Sequence, residues 1–210
     1  MHLSDGILNM PTVLATSAAA GGMLIYALKG MKESDIPKVS LATAAFFTAT
    51  LISVPIGPSS VHPFLGGLIG ILLGRRSAVA VFIGLLLQTL LFQSGGITTL
   101  GLNTVIMTLP ALISSFLFQK LTRHDKYTAV ISGVLGAVSV VLGVATFAVV
   151  LYISNNIYSE GVFSAVNLLL ITHIPVIILE GFLTMGVIGF IKKTRPEFLP
   201  LSYETERDML

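Results

Sequence analysis

The chain has 210 residues, 54% of them hydrophobic and only 10% charged, with a mean hydropathy of +0.92 and a formal charge of +2. A soluble domain carries about a quarter charged residues, so this composition belongs to an integral membrane protein, and the long uncharged runs make it helical rather than a barrel. The small net charge gives no footprint for nucleic acid, and the absence of cysteine excludes disulfide, thiolate and iron–sulfur chemistry.

Six residues, Met1-His2-Leu3-Ser4-Asp5-Gly6, precede the first apolar run. The Met1 amine and the His2 amide nitrogen can close a five-membered chelate ring. The His2 amide nitrogen and its Nδ1 can close a six-membered one. Three nitrogens in a plane favour Ni(II) or Cu(II), and a fourth from elsewhere completes a square. The alternative is a polar terminus without a role. Ala18-Ala19-Ala20 has the look of a signal-peptide cleavage site, but such a peptide needs a basic segment before its apolar core. No Lys or Arg precedes Ile7, and Lys29 and Lys32 follow the run instead. The first run is expected to be a retained helix, and the bulky His2 to protect Met1 from removal.

Seven apolar stretches follow in order: roughly 7–28, 38–56, 63–74, 77–93, 98–119, 127–153 and 163–191. A crossing needs about 20 residues. The third stretch, about 12 residues or about 18 Å of helix, is short enough to be re-entrant. Charge placement argues that it crosses. With seven crossings, Lys29, Lys32 and Lys38, then Arg75 and Arg76, then Lys120, Arg123 and Lys126, then Lys192, Lys193, Arg195 and Arg207 all fall on one side. The positive-inside rule makes that side the cytoplasm. The expectation is one membrane domain over 1–210: a segment 1–6, seven helices over 7–193 and a cytoplasmic tail 194–210. The N-terminus lies outside.

This parity puts His2, His62 and the glycine-rich stretch Ser94-Gly95-Gly96-Ile97-Thr98-Thr99-Leu100-Gly101-Leu102-Asn103 on the outer face, with His173 about ten residues into the last helix from that side. His124 sits alone in a cytoplasmic basic loop. Pro63 suits a first helical turn, so His62 is expected at the cap of the short third helix. A helix starting below the surface would carry its loop inward, where irregular backbone is tolerated only inside protein or beside a cavity. A surface histidine is the other reading. Glu180 is the only acid deep in an apolar stretch, and such groups usually face the bundle interior. It shares a face with His173, seven residues earlier. A structural hydrogen bond between helices is preferred to a proton relay. Asp5 and Asn103 fit either ligand orientation or caps and turns. Ala15 and Ala19, like Gly66 and Gly70 or Gly133 and Ala137, are small residues four apart, suited to close helix packing within the bundle or to docking a partner subunit. No GxxxxGK[ST], HExxH or intramembrane aspartate pair occurs. ATP hydrolysis by a phosphate-binding loop and membrane proteolysis are therefore not expected.

Four pieces together resemble a known family: Met1-His2-Leu3-Ser4-Asp5-Gly6; Ser60-Val61-His62 with Gly66-Gly67; Gly95-Gly96-Ile97-Thr98 leading to Gly101-Leu102-Asn103; and His173-Ile174-Pro175 leading to Glu180-Gly181 and Arg195-Pro196-Glu197. In this order they are similar to CbiM and NikM, the cobalt- and nickel-specific S components of energy-coupling-factor (ECF) transporters. The resemblance implies an all-α S-component bundle of six helices plus an extra N-terminal one, in a prokaryotic cytoplasmic membrane. It implies Ni(II) or Co(II) as cargo rather than cofactor, bound by the Met1 amine, the His2 amide and imidazole nitrogens, and the His62 imidazole. Ser60, Asp5, Asn103, His173 and Glu180 would lie around that site. Implied partners are a transmembrane coupling subunit, two ATPase subunits that drive transport, and in some systems a small accessory membrane protein. Ser4 departs from the family's usual Pro and Leu102 from its usual small residue. Two rivals remain: a self-sufficient metal channel or secondary transporter, and a structural membrane subunit that binds no metal.

Overall fold

The computed structural model describes residues 3, 5–52, 54–56, 59–122, 127–154 and 165–200, with backbone alone at 54–56, 59–61, 154, 165 and 166. Met1, His2, Ser4, His124 and the tail from 201 lie outside the described residues. Helix α1 spans Met10–Leu28, with Asn9 capping it by accepting from the Thr12 N–H at 2.9 Å. Helix α2 spans Ile36–Leu51, and two short antiparallel strands follow, β1 (Val54–Ile56) and β2 (Ser59–Val61). Helices α3 (Gly66–Leu73) and α4 (Ser77–Phe92) are separated by a 3₁₀ turn at Gly74–Arg76. Helices α5 (Leu100–Leu121), α6 (Thr128–Ser154) and α7 (Ala165–Thr194) complete the bundle.

Among the described residues, five helical segments are long and apolar enough to cross a membrane: Met10–Leu28, Gly66–Phe92, Leu100–Leu121, Thr128–Ile153 and Asn167–Thr194. The sequence reading had counted seven stretches. The difference lies in two places. Helix α2 forms over only 16 residues, because its apolar stretch runs on into the β1 strand. Helix α3 has only eight residues, and with α4 it makes one 27-residue segment by length and composition.

Register between neighbours gives the helix directions. A Cβ on Gly70 would collide with the Ala111 carbonyl, and one on Gly74 would lie 3.6 Å from Ser115 Oγ, so α3 and α5 run the same way. Gly84 abuts Phe46 while Gln88 donates to Thr50, so α2 and α4 also run together. Gly133 meets Gly181 and Met185, and Gly189 meets Ala129, so α6 and α7 are antiparallel. At Gly70 and Gly133 the missing Cβ leaves room for the backbone of the neighbouring helix, which is how helices associate in lipid without a hydrophobic drive between them. Ala15 and Ala19 instead are exposed, and α1 turns Ala20, Ala27 and the backbone of Ser17 to the bundle.

Basic residues are tied together at one end. Arg76 pairs with Asp35 at 2.6 Å and donates to the Gly30 carbonyl at 3.4 Å, while Lys38 Nζ donates to the Phe198 carbonyl at 2.9 Å. The first loop, the Gly74–Arg76 turn and the tail therefore share an end. Large apolar side chains such as Ile25, Leu41, Phe116, Phe182 and Phe190 face outward. Phe46, Phe64, Leu85, Leu102, Met107 and Phe147 fill the interior with Leu3.

Candidate metal site

Leu3 is 4% exposed and packs inside the bundle. Asn103, in the first turn of α5, accepts from the Leu3 N–H at 3.1 Å and donates to the Leu3 carbonyl at 3.3 Å. Only an amide side chain offers an acceptor and a donor side by side, and here it pairs with the Leu3 backbone as a neighbouring strand would. Thr99 Oγ1 donates to the same carbonyl at 2.6 Å. Asp5 is held by the same stretch: its carboxylate accepts from the Thr98 N–H (2.9 Å), the Thr98 hydroxyl (2.5 Å) and the Ile97 N–H (3.3 Å). The Thr98 hydroxyl first, and the backbone N–H groups of Thr98, Ile97 and Thr99 after it, hold this carboxyl below the usual carboxylate range against the opposing effect of burial. A Cβ on Gly96 would run into the Asp5 side chain, and its 2.7 Å approach to the Asp5 N admits only glycine. The glycine-rich stretch from Ser94 to Asn103 thus holds Leu3 and Asp5. Among the described residues, Asp5 takes its hydrogen bonds from that stretch.

His62 is 4% exposed, which removes it from the surface. It is not the cap expected beside a first-turn Pro63. The helix begins at Gly66, and residues 62–65 are irregular backbone ending at Leu65 in the left-handed region, φ 53°. Helices α6 and α7 set that start, because they supply the partners for the turn. Glu180 Oε1 accepts from the Phe64 N–H at 2.5 Å and the Leu65 N–H at 2.9 Å, and Ser139 Oγ accepts from the Gly67 N–H at 2.9 Å. The donors at the start of α3 are therefore satisfied by neighbouring helices. His62 Nδ1 stands 2.8 Å from the Pro63 carbonyl. A carbonyl only accepts, so Nδ1 carries the proton and Nε2 the lone pair. A metal-ligating histidine has this arrangement.

His173 is buried on α7, with Nδ1 2.7 Å from the Leu169 carbonyl of its own helix. No hydrogen bond joins it to Glu180 among the described residues; Glu180 Oε1 is engaged with the loop before α3, and its Oε2 is buried without a partner among the described residues. Ser60 lies in β2 opposite Pro55, described by backbone alone. Among the described residues no group of three His, Cys, Asp or Glu side chains could hold a metal ion. Sequence reasoning passed over Thr99 and Ser139. Thr99 is fully buried, and its place just before α5 was the available signal. Nothing in the sequence marks Ser139, one of several hydroxyls along α6.

A family model described as the cobalt uptake substrate-specific transmembrane region, CbiM, matches residues 2–198. The chain is 36% identical over 205 residues to a Haemophilus influenzae protein named for metal transport, covering 95% of this chain and 97% of that one. It is 29% identical over 205 residues to an Archaeoglobus fulgidus protein named as a fused nickel transport protein, NikMN, covering 95% and 68%. A crystal structure described as a truncated transition metal transporter superposes with a TM-score of 0.78 at 21% identity, over 92% of this chain and 99% of that one; this likeness shows a shared fold.

Proposed function

Because the chain belongs to the CbiM family of cobalt uptake substrate-specific transmembrane regions, we propose that it is the substrate-binding S component of an ECF importer for Ni(II) or Co(II). It is a multi-pass membrane protein and a cobalt or nickel transport component. The proposed ligands are the Met1 amine, the His2 amide and Nδ1 nitrogens, and His62 Nε2. Four nitrogens in a square favour nickel on geometry. The observation that carries this reading is the hold on Leu3: its backbone is gripped inside the bundle by Asn103 and Thr99. Covalent geometry keeps the Met1 and His2 Cα atoms within about 8 Å of the Leu3 Cα. His62, buried with its Nδ1 proton on a carbonyl, supports the fourth position.

The topology we propose has seven crossings with the N-terminus outside. It is supported by the shared end of the first loop, the Gly74–Arg76 turn and the tail. Metal enters from outside and exchanges for protons on the amine and amide. A transmembrane coupling subunit and two ATPase subunits, with or without a small accessory membrane protein, drive release inward. The exposed Ala15 and Ala19 face of α1 is available to such a partner.

The test is Ni(II) titration of purified protein with its native N-terminus beside a form extended by one residue. The extension converts the amine to an amide and removes the first chelate ring. Expected outcomes are loss of tight binding in the extended form, in His2→Ala and in His62→Ala. An extended form that keeps the native affinity and visible spectrum overturns the ligand set. Ni(II) uptake by vesicles holding this chain alone would instead favour a channel or secondary transporter.

A further inference from the structure

Glu180 is fully buried in α7, and the ligand set proposed above gives it no part. We infer that Glu180 positions His62 for the metal by acting through the Pro63–Phe64 peptide unit. That unit is planar. Its C=O accepts the His62 Nδ1 proton, and its N–H donates to Glu180 Oε1. The same carboxylate oxygen takes the next N–H, that of Leu65. One rigid plane therefore links an α7 carboxylate to the imidazole, and Pro63 fixes φ on its other flank.

Two consequences follow from elementary chemistry. The carboxylate sets the tilt of the plane, and the plane sets the ring, so Nε2 is aimed from α7. An oxygen accepting from the N–H also polarises the C=O of the same peptide. That strengthens the bond to Nδ1–H and makes Nε2 a better donor. Metal-bound histidines commonly lean on a carboxylate for this purpose; here an amide stands between them. A helix tie alone need not reach a metal ligand. Ser139 performs that task one turn further along, on the Gly67 N–H. The N-terminal ligands are meanwhile tied to α5 through Leu3, and α6 packs between α5 and α7. The two halves of the site are thus held by different helices, joined when the metal binds.

This inference rests on the ligand assignment under the proposed function, and the experiment separates the two. Protein with its native N-terminus is titrated with NiCl₂ as wild type, E180L, E180Q, H62A and the double variant H62A/E180L. Affinity, the visible nickel band and the thermal transition of the apoprotein are recorded for each. In E180L the affinity falls about 10- to 100-fold, as on loss of other supporting partners of metal ligands, and its band moves to that of H62A. The double variant binds no more weakly than H62A alone. E180Q retains an oxygen that accepts both N–H groups and keeps the wild-type band. Where E180L does not fold, E180Q carries the test. The inference is overturned by a wild-type band in folded E180L, by losses that multiply in the double variant, or by an H62A-like band in E180Q. A wild-type band in H62A overturns the ligand assignment itself; a shifted band in H62A beside a wild-type band in E180L removes Glu180 alone.

Discussion

Asn103 holds both backbone polar groups of Leu3 away from water. Replacing it by Leu leaves a buried N–H and weakens the hold on a buried carbonyl, at a cost of about 1–3 kcal/mol. If that segment carries the metal amine, the cost appears in binding. Nickel affinity of Asn103→Leu is expected to fall about 5- to 150-fold, with the thermal transition of the bundle nearly unchanged. Equal affinity in a folded variant would detach Leu3 from the metal site. Asp5 makes a different prediction. Its folded carboxyl titrates below the ordinary value, so the stability it gives is present above about pH 4 and is lost as pH falls through the lower folded value. A free amine titrates at about 7.7–8.0, so loss of nickel between pH 8 and 6 comes from ligand protonation while the Asp5 contacts persist. Asp5→Asn is expected to lower affinity several-fold and leave the pH slope over that range unchanged; nickel titrations at pH 8, 7 and 6 measure both. The residue types at these positions were legible in the sequence, and the stretch from Ser94 to Asn103 stood out for its glycines. The pairing of residue 3 with residue 103 was not, because no local period connects them.

At the scale of the element, α3 is the piece least explained by its own sequence. Eight residues make an isolated helix marginal, and Pro63 pointed to an earlier start than the one observed. The start is set by Glu180 and Ser139, which lie on other helices. A residue-by-residue reading recognises a cap in the same segment and overlooks one supplied across the bundle. The spacing of small residues was a better guide, since Gly70, Gly133 and Gly181 all lie at helix contacts. Gly67 is the sharpest case. A Cβ there would sit 2.6 Å from Gly136 Cα and 3.0 Å from the Ser139 Oγ that holds its N–H. Backbone cannot yield as a flexible side chain can, so Gly67→Ala forces α3 away from α6. Overpacking of this kind costs about 1–3 kcal/mol, or roughly 2–12 °C in the thermal transition of a chain this size. Gly186 has nothing within 4 Å of the same probe position, and Gly186→Ala is expected to show no loss. Similar transitions for the two variants would mean that α3 and α6 do not touch at Gly67.

The whole molecule poses the question of sides. Sequence charge alone required the third stretch to cross, since otherwise Arg75 and Arg76 would lie opposite the other basic residues. Length alone argues the other way, as α3 is too short to span about 30 Å. Residues 62–65 sink into protein, with His62, Phe64 and Leu65 all buried, so the crossing we propose does not require α3 alone to span the full thickness. Irregular backbone at that depth is allowed because Glu180 and Ser139 satisfy its N–H groups. At the other end Arg76 meets Asp35 and Gly30. The lack of cysteine throughout the chain makes a direct test clean. Single cysteines at Lys32, Arg75 and Arg195 are expected to react with a membrane-impermeant maleimide only in inverted vesicles. Cysteines at Asn9 and Ser94 are expected to react in intact cells. Arg75 is the deciding position. If Arg75→Cys is labelled from outside while Lys32→Cys is not, α3 turns back within the membrane. His62 would then be carried on a re-entrant loop, and the helices from α4 onward would each reverse direction across the membrane. That reversal conflicts with the shared end of the Gly74–Arg76 turn and the first loop, so the labelling of this one residue tests the packing and the topology together.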